Sequence, residues 1–249
     1  MARQESILKL KGTIGGISFY KSKDGYLARE KGGVDASRIA NDAEFARTRE
    51  NGTEFANAAS AGKLLRDTVR TLGKDASDGR VTSRLTQVMA QIKNLDTESA
   101  RGERNVAVGI QTDEGKALLE GFNFNINAIL GAVLYAAYQT DAATGEISVA
   151  SFTPKNDIAI PDGATHITFK SGCASINFET GESEIKLSDV VRVAVDSEAQ
   201  ALSVKPAEVP ALEGTKFILI LIDFVQSVNN VDYSLKSNTF NVLTIVDVL

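Results

Sequence analysis

The 249-residue chain has one cysteine, one histidine, no tryptophan and four prolines. A lone thiol, Cys173, excludes a disulfide framework and any cysteine-built zinc site. In Ser-Gly-Cys-Ala-Ser it reads as a small strand residue. A lone His166 excludes two-histidine metal sites, and no Gly-x-Ser-x-Gly elbow exists to build a Ser-His-Asp set around it. It stands in Ala-Thr-His-Ile-Thr-Phe, on the strand face opposite Ile167 and Phe169, as a solvent-facing residue. No Asp-x-Asp-x-Asp-Gly loop is present, although carboxylate-only Mg²⁺ or Ca²⁺ sites stay open. Carboxylate pairs such as Glu182/Glu184 and Asp113/Glu114 fall in turn-like, solvated sequence. The expectation is a protein that is not an enzyme, with no catalytic residue, cofactor or metal and no small-molecule substrate implied.

Long apolar runs are missing as well. Residues 128–138 and 217–222 are the longest, and both are too short to span a bilayer. Residues 1–10 carry Arg3 and Glu5 without the apolar stretch of a secretion signal. No membrane span and synthesis in the cytoplasm are therefore expected, with a place in a released particle or filament left open.

What is present is unevenly distributed. Eleven of twelve arginines precede residue 105, and all four prolines follow residue 153. Residues 1–104 hold nineteen Lys/Arg against fourteen Asp/Glu, a net of +5; residues 151–249 hold seven against thirteen, a net of −6. Such halves attract one another between copies, or the basic half faces an anionic partner. The length suits two domains with separate cores.

In the first part, Ile7-Leu8-Lys9-Leu10 and Ile17-Ser18-Phe19-Tyr20 read as strands flanked by Gly12, Gly15 and Gly16, and Lys23-Asp24-Gly25 supplies a hairpin turn before Tyr26. Gly12-Thr13-Ile14-Gly15-Gly16 lacks the Gly-Lys-Ser/Thr ending of a phosphate loop and leads into a strand. Asn41 with Glu44 predicts a capped helix running to about Leu72. Its seam, Phe55, Ala58, Gly62, Leu65, Val69 and Leu72, steps by three and four, and Gly62 admits a close neighbour. A second seam, Val81, Leu85, Val88, Ile92 and Leu95, completes an antiparallel helical hairpin, packed within the chain or between chains. Thr112 caps a short helix to Glu120; Phe122, Phe124 and Ile126 alternate as a half-buried strand, and residues 128–138 fit a strand or a buried helix, with strand favoured.

From Gly145 onward apolar residues alternate with polar ones around Ile167, Ile176, Ile185, Val193, Leu202 and Tyr233. Residues 217–222 are apolar on both faces, hence a central strand, and residues 242–248 form the last strand. Turns fall at Pro161-Asp162-Gly163, Glu179-Thr180-Gly181-Glu182, Glu213-Gly214 and Asn229-Asn230. The fold class expected is α+β: a β-hairpin plus helical hairpin over residues 1–144, then an immunoglobulin-like β-sandwich over residues 145–249.

Lys11-Gly12-Thr13-Ile14-Gly15-Gly16-Ile17-Ser18-Phe19-Tyr20, Asp24-Gly25, Glu54-Phe55, Gly115-Lys116-Ala117-Leu118-Leu119 and Gly121-Phe122-Asn123-Phe124-Asn125 together resemble uncharacterised proteins of Bacteroidota (Flavobacterium-like) genomes, over residues 7–127. The resemblance implies a Gly-rich hairpin, a helical segment and a variable strand-rich module, and lends no catalytic residue or cofactor. A shared base carrying a variable module points to a self-associating structural homo-oligomer, a subunit of a filament or phage-like particle, with the sandwich on display. Its contacts are assigned to Gly15, Gly16, Phe55, Gly62, Leu65 and Val69. One alternative is nucleic-acid binding along Lys63, Arg66, Arg70 and Lys74, which step by three and four along one helix face. The other is a β-sandwich adhesin or ligand-binding module.

Overall fold

A computed structural model describes residues 2–196, 198–229, 231–235 and 239–249. The chain divides into two compact units, Met1–Arg49 and Glu50–Leu249. The division expected at residue 145 falls within the second of these units.

The first unit holds β1 (Ala2–Arg3), β2 (Gly12–Ile14), β3 (Ile17–Ser22), β4 (Gly25–Glu30) and the short helix α1 (Ala36–Asn41), followed by a 3₁₀ turn. The strands form one antiparallel sheet in the order β1-β4-β3-β2. Ile14 pairs with Ile17, so Gly15 and Gly16 are the whole β2–β3 loop. Both have positive φ, 54° and 82°, the conformation whose twist suits a two-residue hairpin and that side chains resist. Residues 7–10, expected as a strand, instead form an irregular loop. Asp35 caps α1, its carboxylate accepting from the Ser37 amide at 2.8 Å. Asn41, expected as the cap of the long helix, is the last residue of α1.

The second unit is layered. α2 (Ala46–Thr68) lies across the boundary and is followed by α3 (Arg70–Gly73), α4 (Val81–Asn94), α5 (Val106–Gly109), α6 (Asp113–Ala117) and α7 (Leu130–Val133). Then come β5 (Gln139–Asp141), β6 (Glu146–Phe152), α8 (Pro154–Asp157), β7 (His166–Ile176), β8 (Ser183–Leu187), β9 (Val191–Ala194), β10 (Gln200–Val204), β11 (Thr215–Val228), β12 (Val231–Leu235) and β13 (Val242–Val248). β11 is the centre of a six-stranded antiparallel sheet, pairing with β7 on one side and with β13 and β12 on the other. Alternation along β11 sends Phe217, Leu219 and Leu221 into one core with Leu65, Leu85 and Ile92 of the helices. Ile218, Ile220, Ile222 and Phe224 enter a second core with Ile147, Val149, Leu202 and Val204 of a three-stranded sheet, β10-β6-β5. Both faces of β11 are thus buried, which is why residues 217–222 carry no polar alternation.

The architecture is mixed α+β, with a helical layer, a large antiparallel sheet and a small one. Residues 128–138, read as a strand, form α7 and a bridge from Leu134 to Ile158. Residues 121–124 lie along β13, the Phe124 amide donating to Leu243 at 2.8 Å. Thr112 caps α6 as expected, accepting from the Gly115 amide at 3.0 Å, although the helix stops at Ala117. The expected turn residues Gly163 and Gly181 have positive φ, as has Asn229; Asn230 lies outside the described residues. Among the described residues no helix is long and apolar enough to cross a membrane.

Candidate functional site

The residues assigned to self-association part company. Gly62, Leu65 and Val69 face the chain's own core, a Cβ on Gly62 standing 3.6 Å from both Leu85 and Met89. This seam is filled from within, so these three are corrected from contact residues to core residues. Phe55 stands off the seam and is 60% exposed. The position beside it, Glu54, is buried instead, because its carboxylate pairs with Lys93 and accepts the Gly102 amide at 2.9 Å. The Lys93 contact and the Gly102 amide hold Glu54 below the ordinary carboxylate range despite its burial. Gly15 and Gly16 form an open tip where a Cβ meets nothing within 4 Å.

The proposed nucleic-acid stripe keeps Lys63, Arg70 and Lys74 exposed, while Arg66 is half-buried. Arg66 donates to Thr82 Oγ1 at 2.8 Å and staples α2 to α4. Asp78 and Arg84 make a further internal pair, with Arg84 lying 5.1 Å from the centre of the Phe122 ring. His166 Nδ1 lies 2.9 Å from Thr165 Oγ1 and 3.2 Å from Arg192, whose other partner is Asp232. Burial pushes the Cys173 thiol up.

Two surfaces remain, each within one unit. In the first unit none of the described residues is buried. Strand register places Ile14, Ile17, Phe19 and Ala28 on one sheet face with Lys21, Tyr26 and Glu30, Ile14 being 60% and Ile17 42% exposed. The opposite face carries Thr13, Ser18, Tyr20 and Arg29, with Arg29 lying over the Tyr20 ring at 5.7 Å. Beside this sheet, residues 5–10 form a closed finger. The Gln4 side chain receives the Leu10 amide at 2.9 Å and donates to Leu10 and Leu27 carbonyls at 3.3 and 3.0 Å. Ser6 Oγ caps the turn by accepting the Leu8 amide at 3.1 Å. At the tip Ile7 is 101% and Leu8 78% exposed. Isolated apolar side chains on a surface are ordinary, but this small unit exposes two groups of them, one on a sheet face and one at the finger tip.

In the second unit a cleft of about 940 Å³ opens between α2, the segment from Leu95 to Thr112 and the β7–β8 loop. Its apolar lining includes Ala61, Leu64, Leu95, Val106 and Phe178; Asn57, Ser60 and Gln111 add polar groups. Glu98 and Glu179 are the only charged residues among those lining it. Asp96 builds one wall, accepting amides of Glu98, Ser99 and Asn105 at 3.1, 2.9 and 3.0 Å. Burial works to raise its pKa, but these N–H donors and Ser99 overcome that and leave it lowered. Phe178 is anchored edge-on to Phe217 at 6.2 Å. Sequence reading missed this cleft, whose walls come from three separated segments with no shared period.

A third feature lies under the helices. Asp223 on β11 is adjacent in register to Asn241, just before β13, and Asp223 Oδ1 and Asn241 Oδ1 are both buried without a hydrogen-bond partner. Burial, with Asp75 nearby, pushes Asp223 up to about 6. A carboxyl raised in the fold contributes stability at low pH that is lost as pH rises through about 6. Asp223→Asn is therefore expected to stabilise the chain at pH 7.5 by about 1–3 kcal/mol, with the gain vanishing below about pH 4. Denaturant midpoints across that range check it; equal midpoints at pH 7.5 would refute the burial of an uncompensated charge.

Among the described residues no group of three or more His, Cys, Asp or Glu side chains is disposed to hold a metal ion. No family model, curated protein or solved structure matches the chain.

Proposed function

We propose that the chain is a self-associating structural protein, a subunit of a filament or phage-like particle, in keeping with the Bacteroidota likeness of its N-terminal half. One observation carries this reading: the first unit is a four-stranded sheet without a buried side chain among its described residues. A sheet of this size needs apolar surface covered to be stable, and Ile14, Ile17, Phe19 and Ala28 supply the apolar part of one face, beside Lys21 and Glu30. Charge supports a second copy as the cover. Residues 1–49 carry ten Lys/Arg against six Asp/Glu, a net of +4, which leaves −9 for the remaining 200 residues of a chain at −5. Opposite fields of this kind favour and orient contact between copies. In this reading the facing sheets of residues 145–249 serve as the immunoglobulin-like display module.

The test is light scattering behind a sizing column at low and high salt, with negative-stain images of the same fractions. Large regular particles or filaments are expected. Ile14→Asp with Ile17→Asp should reduce them to single chains while the second unit keeps its melting temperature, since neither side chain belongs to its cores. A wild-type chain that stays single at every salt and concentration would sink the reading.

A further inference from the structure

Self-association through the sheet face leaves open what the neighbouring finger meets, and two further features of the chain are matched in chemistry. The finger is apolar at its tip through Ile7 and Leu8, and it is followed by the cations Lys9, whose Nζ also donates to the Gln4 carbonyl at 2.5 Å, and Lys11. It is pre-shaped, because the Gln4 amide closes its base and Ser6 closes its turn. A loop already held in one conformation loses little entropy on docking. The cleft has an apolar floor around Ala61, Leu64 and Val106, and its only charges are the carboxylates of Glu98 and Glu179. Its volume, about 940 Å³, lies at the upper end of the range of roughly 300–1,000 Å³ typical of ligand pockets, enough for a few side chains of a docked loop.

We propose that the finger of one copy, residues 5–11, docks in this cleft of a second copy, its Lys9 and Lys11 meeting Glu98 and Glu179. This rests on the self-association reading and deepens it by adding a finger–cleft contact to the sheet-face contact. Finger and cleft are different patches, so the contact is either reciprocal between two copies or passed on from copy to copy. Each copy offers one finger and one cleft: mutual exchange closes a two-fold dimer, whereas one-way docking closes into rings or continues as filaments, the form a filament or particle subunit requires. The cleft lies on the helical side of the large sheet, between α2, α5 and the β7–β8 loop. The small sheet β10-β6-β5 packs on the other side and stays clear of the contact.

A membrane surface would also take an apolar finger with adjacent lysines. The second copy is favoured because the same chain carries an apolar cleft whose lining charges are solely carboxylates.

The experiment uses reciprocal charge reversal in the full chain. Lys9→Glu with Lys11→Glu should abolish assembly, as should Glu98→Lys with Glu179→Lys. Mixing the two variants in equal amounts should restore it, because reversed fingers then meet reversed clefts and wild-type fingers meet wild-type clefts in alternation. All four changes in one chain should restore it too. Ile7→Ser with Leu8→Ser should abolish assembly without rescue by mixing with either charge variant alone in excess.

Assembly of the cleft variant at wild-type levels would overturn the finger–cleft contact while leaving self-association standing. So would two deficient variants that fail to complement while each keeps its wild-type melting temperature. A finger change that alters only sedimentation with vesicles of anionic phospholipid would overturn it in favour of a lipid surface. A wild-type chain that never assembles would instead remove the reading on which the contact rests.

Discussion

Gly109→Ala is expected to destabilise the second unit by about 3 kcal/mol or more and to abolish the cleft with it. A Cβ at this position falls 2.0 Å from the Ile92 carbonyl oxygen and 2.8 Å from its carbon. No side-chain rotation relieves that, because the obstructing atoms are the backbone of α4. The next layer is equally tight: a Cβ on Gly115 falls 2.2 Å from the Gly109 carbonyl oxygen. α5 therefore cannot retreat from α4 without pushing on α6. Since α5 supplies Val106, Ala107 and Val108 to the cleft, its displacement removes one wall. Gly52 on α2 is the control, because nothing lies within 4 Å of its added Cβ and its φ is not positive. Gly52→Ala should stabilise by about 0.5–1 kcal/mol, the ordinary gain of alanine over glycine within a helix. Denaturant midpoints of the two variants should move in opposite directions. Equal midpoints would mean that α5 is not seated against α4.

That contrast shows what a sequence reveals and what it withholds. Both are glycines in helical sequence, and nothing local separates them; only the close approach of another backbone does. The same holds for the seam. Ala58, Gly62, Leu65, Val69 and Leu72 were legible as one apolar face because burial imposes the helical period. What covers that face was not legible, since periodicity reports burial and not the partner. The cover is α4 together with Phe217, Leu219 and Leu221 of β11, so the helices belong with the sheet and not to a separate domain. Phe55 was placed in the seam because an apolar residue is its default occupant, whereas the buried position is Glu54. The choice failed where Lys93 and the Gly102 amide made a buried carboxylate acceptable. Residues 217–222 read correctly as a central strand because burial on both faces removes polar alternation. Residues 128–138 were equally apolar and formed a short helix and a bridge, an ambiguity that apolar runs of this length always carry. β6 was not anticipated, although Ile147 and Val149 alternate with polar neighbours, because one short alternation resembles many loops. Of the candidate contact surfaces, the charge asymmetry and Gly15-Gly16 were readable from local sequence. The cleft was not, being assembled from segments far apart in the chain.

Asp78→Ala is expected to cost about 3–5 kcal/mol near neutral pH, through loss of a buried ion pair and of two amide contacts. Its side chain is 7% exposed and pairs with Arg84, whose own side chain is 23% exposed. The carboxylate also accepts the Arg80 amide at 2.5 Å and the Ile126 amide at 2.9 Å, joining the start of α4 to the segment that lies along β13. Removing it leaves Arg84 held only by the carbonyls of Asn123 and Phe124, at 2.8 and 3.1 Å, and by the Phe122 ring. The pH dependence distinguishes this loss from a simple cavity. Burial alone would raise the Asp78 pKa, but the amides of Ile126 and Arg80 and the Arg84 guanidinium outweigh it and leave it lowered. A lowered carboxyl contributes stability that is fully present above its unfolded value, about 3.9, and is lost as pH falls through the folded value. Wild type and Asp78→Ala should therefore differ by a constant amount from pH 5 to 8 and converge as pH falls below about 4. Asp223→Asn has the opposite profile, its difference from wild type opening as pH rises toward 6 and beyond. The two curves, measured by urea denaturation on the same chain, place the fold's acid-side weakness at the base of α4 and its neutral-pH weakness beneath the helical layer. A difference for Asp78→Ala that stayed constant down to pH 2 would assign its effect to lost packing and refute the ion pair as the source of stability.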